Sequence, residues 1–275
     1  MHLDLLQSLS LCGRNDTPND DRAGNTARTA WVIDGATDLG PPGLLGDQGG
    51  AAWLAATADA GFGLADAPEL AGTCDQVFAH VAARYAAERR RAPEAAWELP
   101  SAAFAAVQLV GNKLHVAWAA DCAVLHRSSA GVRWCTPAPD RAAESAAAAA
   151  LGEGVGALPR TGAVLDDRRA ARARPGRQVL GIDPSAARAA MRLAAVEVAP
   201  GDGLLLMTDG FSALIDAYGV HDAAALFAAA ERQGLAALGQ QLRDIEEQDA
   251  DCRRFPRFKR SDDATALWLR IGGAA

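Results

Sequence analysis

"GDGLLLMTDGFSALID", Gly201–Asp216, is the stretch on which the reading of this chain turns. Four apolar residues, Leu204–Met207, run unbroken into Thr208, Asp209 and Gly210. A short continuous apolar run bounded by turn residues reads as a strand buried on both faces. A carboxylate at the end of such a strand is costly unless something pairs with it. Asp209 either caps the segment that follows or holds a metal ion. A lone Asp-Gly is most often only a turn, so the rest of the chain has to decide.

Working outward, "LAAVEVAPGDGLLLMT" reads as a hairpin turning at Pro200–Gly203. "ATALWLRI" closes the chain as a strand with Thr265, Leu267, Leu269 and Ile271 on one face. Leu235, Leu238, Leu242 and Ile245 fall at helical spacing between these strands. Upstream, Ser101–Trp134 reads as a β-meander, and Cys74, Val77, Phe78, Val81 and Tyr85 predict an amphipathic helix over Thr73–Arg91. Leu3–Leu11 and "TAWVID" are strands separated by the polar loop "GRNDTPNDDRAGN". Gly152–Gln178, rich in Gly, Pro and Arg, reads as an irregular excursion. Strands come in runs with helices between the runs, which is an α+β pattern on antiparallel sheets rather than a βαβ repeat. No internal repeat or domain boundary interrupts residues 1–275, and a single domain is expected.

The bulk composition narrows the function. The chain has 275 residues, half of them hydrophobic, with a net charge of −7. An acidic balance argues against a nucleic-acid surface and against electrostatic docking on a membrane. No stretch approaches the ~20 apolar residues of a spanning helix, and "MHLDLLQSLSLCG" lacks the basic start of a signal peptide. Five cysteines, Cys12, Cys74, Cys122, Cys135 and Cys252, are odd in number and widely spaced, which favours reduced thiols and a cytoplasmic location.

Acidic residues recur at strand ends. Asn19-Asp20-Asp21 lies in the first loop, Asp34-Gly35 ends the second strand, Asp209-Gly210 ends the buried strand, and Ser261-Asp262-Asp263 precedes the last. Asp121 falls between two strands of the meander. Carboxylates converging at one sheet edge repel one another, and oxygen ligands of this kind suit Mg²⁺ or Mn²⁺. A Gly after Asp lets the backbone approach an ion closely. The histidines, His2, His80, His115, His126 and His221, show no zinc spacing.

Taken in order, "PNDDRAG", "WVIDGAT", "VAWAADCAVLHR", "RQVLGID", "VEVAPGDGLLLMTDGFSALID" and "SDDATALWL" resemble the metal-dependent protein phosphatases (PPM, the type 2C serine/threonine phosphatases), in a bacterial-type form. The resemblance covers most of the chain. It implies two packed antiparallel sheets flanked by helix pairs, an αββα sandwich. It also implies two Mn²⁺ or Mg²⁺ ions, with Asp34 bridging both, the Gly35 carbonyl on one, and Asp209 and Asp262 on the other. Asp21 and Asp20 would act through water or steady the site, and Asp121 falls where some members hold a weaker third ion. The activity implied is attack on phosphoserine or phosphothreonine by a hydroxide bridging the two ions, with Asp34, Asp209 and Asp262 carrying catalysis. The implied partners are a phosphoprotein substrate and a Ser/Thr kinase, with no nucleic acid or membrane and a monomeric chain.

The chain departs from the family pattern in three places. Ala36 stands where a His general acid is common, Ala123 replaces the Arg of "GDSR", and Asp16 stands where an Arg often meets the substrate phosphate. Arg14 is a candidate substitute. In "CRRFPRFKRSDD", a basic run with Arg253, Arg254, Arg257, Lys259 and Arg260, the residues Arg257 and Arg260 are candidates for a phosphate-guiding rim. Gly152–Gln178 occupies the place of the family's variable flap. Two alternatives follow from the altered motifs: a catalytically weak or inactive phosphatase-like domain that binds a phosphoprotein or partner, or a hydrolase of small phosphate esters.

Overall fold

The computed structural model describes residues 1–159 and 161–273. Along the chain the elements are β1 (His2–Leu11), β2 (Asp21–Asn25), β3 (Thr29–Gly35), α1 (Gly50–Leu64), α2 (Leu70–Glu88), β4 (Ser101–Val110), β5 (Lys113–Ala119), β6 (Ala123–Ser128) and β7 (Gly131–Trp134). There follow α3 (Ala142–Leu151), α4 (Gly162–Arg172), β8 (Leu180–Gly181), α5 (Pro184–Ala190), β9 (Arg192–Glu197), β10 (Gly203–Met207), α6 (Asp209–Asp216), α7 (Ala223–Gln248) and β11 (Ala264–Gly272). Among the described residues two antiparallel sheets form, ordered β2-β3-β4-β5-β9 with β8 beside β4, and β1-β11-β10-β6-β7.

Alternation along the central strands explains the layering. Val32 on β3, Leu204 and Leu206 on β10, and Leu267, Leu269 and Ile271 on β11 meet between the sheets in one core. The opposite faces are equally apolar. Trp31 and Ile33 pack under α1 and α2 with Phe62, Phe78 and Phe104. Leu205 and Met207 pack under α6 and α7 with Phe211, Leu226 and Leu238. Strands buried on both faces read as continuous apolar runs, and β10 is such a strand. The helix–sheet–sheet–helix architecture and the α+β class agree with the sequence reading.

Five local readings are corrected. The Ser101–Trp134 strands do not form one meander: β4 and β5 belong to the first sheet, β6 and β7 to the second. The chain crosses between them at Ala120, a non-glycine residue with φ of 63°. Likewise β9 and β10 are not a hairpin. β9 pairs with β5 at an edge of the first sheet, whereas β10 lies between β6 and β11 in the second. "GRNDTPNDDRAGN" is not wholly loop, because β2 begins at Asp21. Gly152–Gln178 is not irregular throughout, since α4 crosses it; Arg160 of that stretch lies outside the described residues. α4 is capped by Thr161, whose hydroxyl accepts the Val164 N–H at 3.4 Å, and ends in Arg169 and Arg172, the charges that favour a helix C-terminus. The Thr73–Arg91 helix is displaced to Leu70–Glu88.

Candidate active site

The register of β2 and β3 sets Asp21 directly opposite Asp34. Like charges in that relation destabilise a sheet unless a cation or proton intervenes. Asp21 is almost fully buried, and its Oδ2 accepts the Thr208 hydroxyl at 2.8 Å. Thr208 is the residue that precedes α6, and its side chain caps nothing there. Asp209 is the first residue of α6, so its carboxylate sits beside the positive end of the helix. Asp262 comes from the loop entering β11. Asp34, Asp121, Asp209 and Asp262 all line one cleft of about 270 Å³.

Close backbone approach draws these strand ends together. An added Cβ at Gly210 would lie 1.9 Å from the Asp263 carbonyl oxygen. One at Gly35 would lie 2.6 Å from the Ala51 carbonyl and 2.8 Å from that of Asp20. Asp263 is a clamp rather than a cleft residue. Its carboxylate accepts the Gly13 N–H at 2.6 Å and the Asp20 N–H at 2.5 Å, which ties the first loop to the last strand.

The charges perturb one another strongly. Burial, then the carboxylates of Asp209, Asp21 and Asp262, push the Asp34 carboxyl well above the usual range. Burial, opposed by the Thr208 hydroxyl and reinforced by Asp262, does the same to Asp21. Asp20 is pushed up to about 7 by burial and by Asp263. Asp209 goes the other way: burial would raise it, but the Arg141 guanidinium and a hydrogen bond from Asp34 hold it below.

Two cations stand among the carboxylates. Arg141 Nη2 is 2.6 Å from Asp209 Oδ2, and its Nε is 3.9 Å from Asp216 Oδ2. Lys259 Nζ is 2.5 Å from Asp262 Oδ1 and donates to Thr37 Oγ1 at 3.2 Å. The other charges of the basic run turn elsewhere. Arg257 lines the cleft but spends its donors on Asp249, Phe255 and Arg260 carbonyl or carboxylate oxygens. Arg260 donates to the Ala250 carbonyl at 3.0 Å and does not line the cleft. Arg14 is exposed and paired with Asp16 at 2.6 Å.

α4 forms part of the wall. Arg169 donates through Nε and Nη2 to the Leu39 carbonyl at 3.0 and 2.7 Å and stacks 4.2 Å from the Trp97 ring. Arg172 donates to the Thr37 carbonyl at 2.8 Å. Sequence reasoning missed Arg141 and the cleft roles of Lys259, Arg168 and Arg177. No local pattern marks them, because their partners are remote in sequence.

The donor set is all oxygen, which fits a hard divalent cation. Asp209 Oδ1 and Asp21 Oδ1 are buried without a hydrogen-bond partner among the described residues. Among those residues, no group of three or more His, Cys, Asp or Glu already stands in a closed metal-binding arrangement. Asp209 and Asp262 instead face Arg141 and Lys259.

No family profile and no curated protein matches the sequence. The fold does match solved structures. The catalytic domain of the serine/threonine phosphatase PstP in complex with two manganese ions superposes with a TM-score of 0.58 at 16% identity, covering 99% of each chain. The Mycobacterium tuberculosis PstP/Ppp phosphatase superposes at 0.57 and 16% identity, covering 99% of this chain and 100% of that one. The Mycobacterium smegmatis phosphatase MsPP, in complex with cacodylate, gives 0.55 at 18% identity over 98% and 99% of the two chains. The chain has the fold of the PPM-type serine/threonine phosphatases.

Proposed function

We propose that this protein is a Mn²⁺- or Mg²⁺-dependent phosphatase of phosphoserine and phosphothreonine in proteins, acting in the cytoplasm opposite a Ser/Thr kinase. One observation carries the reading. Asp34, Asp209 and Asp262 arrive from strand ends of both sheets in a single cleft, and a buried Asp209 oxygen there has no hydrogen-bond partner among the described residues. Asp34, the Gly35 carbonyl, Asp209 and Asp262 would hold two ions, with Asp20 and Asp21 steadying them and Asp121 exposed at the cleft edge. Such ions acidify a water and neutralise phosphoryl oxygens. The chain's own residues orient and neutralise: Thr208 fixes Asp21, and Arg141 and Lys259 pair with Asp209 and Asp262. Ala36 has no proton to give a leaving group, so water or another group must supply it.

The test is turnover of p-nitrophenyl phosphate and of a phosphothreonine peptide with Mn²⁺ and with EDTA, beside Asp209→Asn. The reading expects Mn²⁺-dependent activity that falls at least about a hundredfold in the variant. Activity indifferent to EDTA would end it. A preference confined to the small ester would make the chain a small-ester hydrolase.

A second reading is favoured by Arg141 and Lys259, which already neutralise two of the proposed ligands, and by Ala36. It makes the chain a weak or inactive relative that binds a phosphoprotein. Mn²⁺ binding by calorimetry without turnover would select it.

A further inference from the structure

A phosphoryl dianion needs a cation whose charge is not already compensated, and the cations of the cleft differ in this. Arg141 is ion-paired with Asp209, although its Nε and Nη2 make no hydrogen bond among the described residues, Lys259 is paired with Asp262, and Arg257 with Asp249. Arg172 is tied to the Thr37 carbonyl. Arg168 lies 3.3 Å from Glu144 and stacks 4.4 Å from the Phe258 ring. Arg177 is different. It is half-buried on the cleft wall, and its one hydrogen bond among the described residues runs from Nη1 to Ser101 Oγ at 3.3 Å. No carboxylate among those residues forms an ion pair with it.

A half-buried guanidinium without a counter-anion is costly, and a second guanidinium nearby adds to the cost. Burial, then the charge of Arg168, pull the Arg177 guanidinium below its usual range, and the more distant charge of Asp121, which makes no ion pair with it, opposes them only in part. Both penalties reverse when a dianion enters, because the planar fork of an arginine matches two phosphate oxygens. Arg168 is steadied from behind by Phe258 and Glu144, and so is positioned to assist.

We propose that Arg177, assisted by Arg168, is the phosphoryl-binding element of this cleft. The proposal rests on the phosphatase reading and names the residues that take the substrate's phosphate. It moves that role from the N-terminal loop, where Arg14 is exposed and bound to Asp16, to the segment that follows α4. It also explains how the cleft tolerates Asp16 where a phosphate-binding arginine is common.

The experiment measures inorganic phosphate binding by calorimetry in the presence of Mn²⁺, with steady-state kinetics on p-nitrophenyl phosphate alongside. Wild type, Arg177→Ala, Arg177→Lys and the exposed control Arg174→Ala are compared. Arg177→Ala should weaken phosphate binding at least tenfold and raise KM more than it lowers kcat, with Mn²⁺ affinity unchanged. Arg177→Lys should recover part of the loss, and Arg174→Ala should match wild type. Should the alanine variant unfold, Arg177→Gln retains a donor to Ser101 and carries the same comparison. Phosphate affinity within twofold of wild type in a folded Arg177 variant, or a wild type that binds no phosphate, overturns the proposal. Phosphate binding that depends on Arg177 without any turnover would sink the phosphatase reading alone. Mn²⁺-dependent turnover with phosphate binding indifferent to Arg177 would sink the anchor alone.

Discussion

Arg141 Nη2 lies 2.6 Å from Asp209 Oδ2, and both side chains are less than one-fifth exposed. A guanidinium therefore occupies space beside a carboxylate that the proposed function assigns to a metal ion. Removing one partner of a buried pair leaves the other charge uncompensated. Arg141→Gln should cost the metal-free protein about 2–4 kcal/mol. Mn²⁺ should then bind more tightly, since its cationic competitor is gone, and should raise Tm more in the variant than in wild type. Thermal melts with EDTA and with Mn²⁺ check both. An equal Mn²⁺ shift in the two proteins would show that Arg141 and the metal do not share Asp209.

The contact between α6 and β11 leaves no room for a side chain at Gly210. A Cβ there would fall 1.9 Å from one carbonyl oxygen and 2.9 Å from its carbon, both backbone atoms of Asp263. Backbone cannot rotate away as a side-chain end can, so α6 must shift and carry Asp209 away from Asp262. Gly210→Ala should destabilise by about 3 kcal/mol. Gly63, in α1 with nothing within 4 Å of its Cβ position, is the control. Gly63→Ala should gain about 0.5–1 kcal/mol from helix propensity. Urea titrations of the two variants measure the contrast.

Some of this was legible in the sequence, and the reasons are local. β10 announces itself because both of its faces are buried, and the Asp-Gly pairs mark strand ends that turn near one another. What hid was whatever depends on partners far along the chain. β4 to β7 are apolar and closely spaced, so nothing in them signals that the chain changes sheets at Ala120, and no glycine marks its positive φ. Pro200–Gly203 has the composition of a hairpin turn but serves as a passage from one sheet to the other. α4 has a single buried residue, Val164, so it lacks the apolar stripe by which helices are recognised. The carboxylates of the cleft were visible as motifs. Arg141 was not, because a lone arginine before an alanine-rich helix carries no pattern.

α4 holds to the cleft by polar contacts more than by apolar burial, and Arg169 makes the chief of them. It gives two hydrogen bonds to the Leu39 carbonyl and lies 4.2 Å over Trp97. A charged hydrogen bond and a cation–π contact together are worth about 2 kcal/mol. Arg169→Ala should therefore release α4 locally while leaving the two-sheet core intact. Hydrogen exchange should quicken about tenfold or more in the α4 amides and stay unchanged in β10 and β11. Uniform quickening across all elements would mean that Arg169 supports the whole fold instead.

Asp249 ends α7 and organises the loop that delivers Lys259 and Asp262. Its Oδ1 accepts the Arg253 and Arg254 N–H groups at 3.1 and 2.9 Å, and its Oδ2 accepts the Phe255 N–H at 3.1 Å and Arg257 Nη1 at 2.5 Å. Burial alone would raise its pKa, but the Arg254 N–H and the Arg257 guanidinium outweigh it and hold the carboxyl below the usual range. A depressed folded-state pKa means that the unfolded chain binds the proton first as pH falls. The stabilisation is then complete above the unfolded pKa, ~3.9, and is lost as pH drops through the folded value. Asp249→Asn should cost about 2 kcal/mol at neutral pH, and the gap to wild type should shrink toward about pH 3. The same variant should loosen the loop behind the Lys259–Asp262 pair and so weaken Mn²⁺ binding at neutral pH. Urea unfolding at the two pH values, with calorimetry at the higher one, makes the measurement. A gap of equal size at both would show that the neutral amide fails by shape, and that the charge of Asp249 contributes nothing.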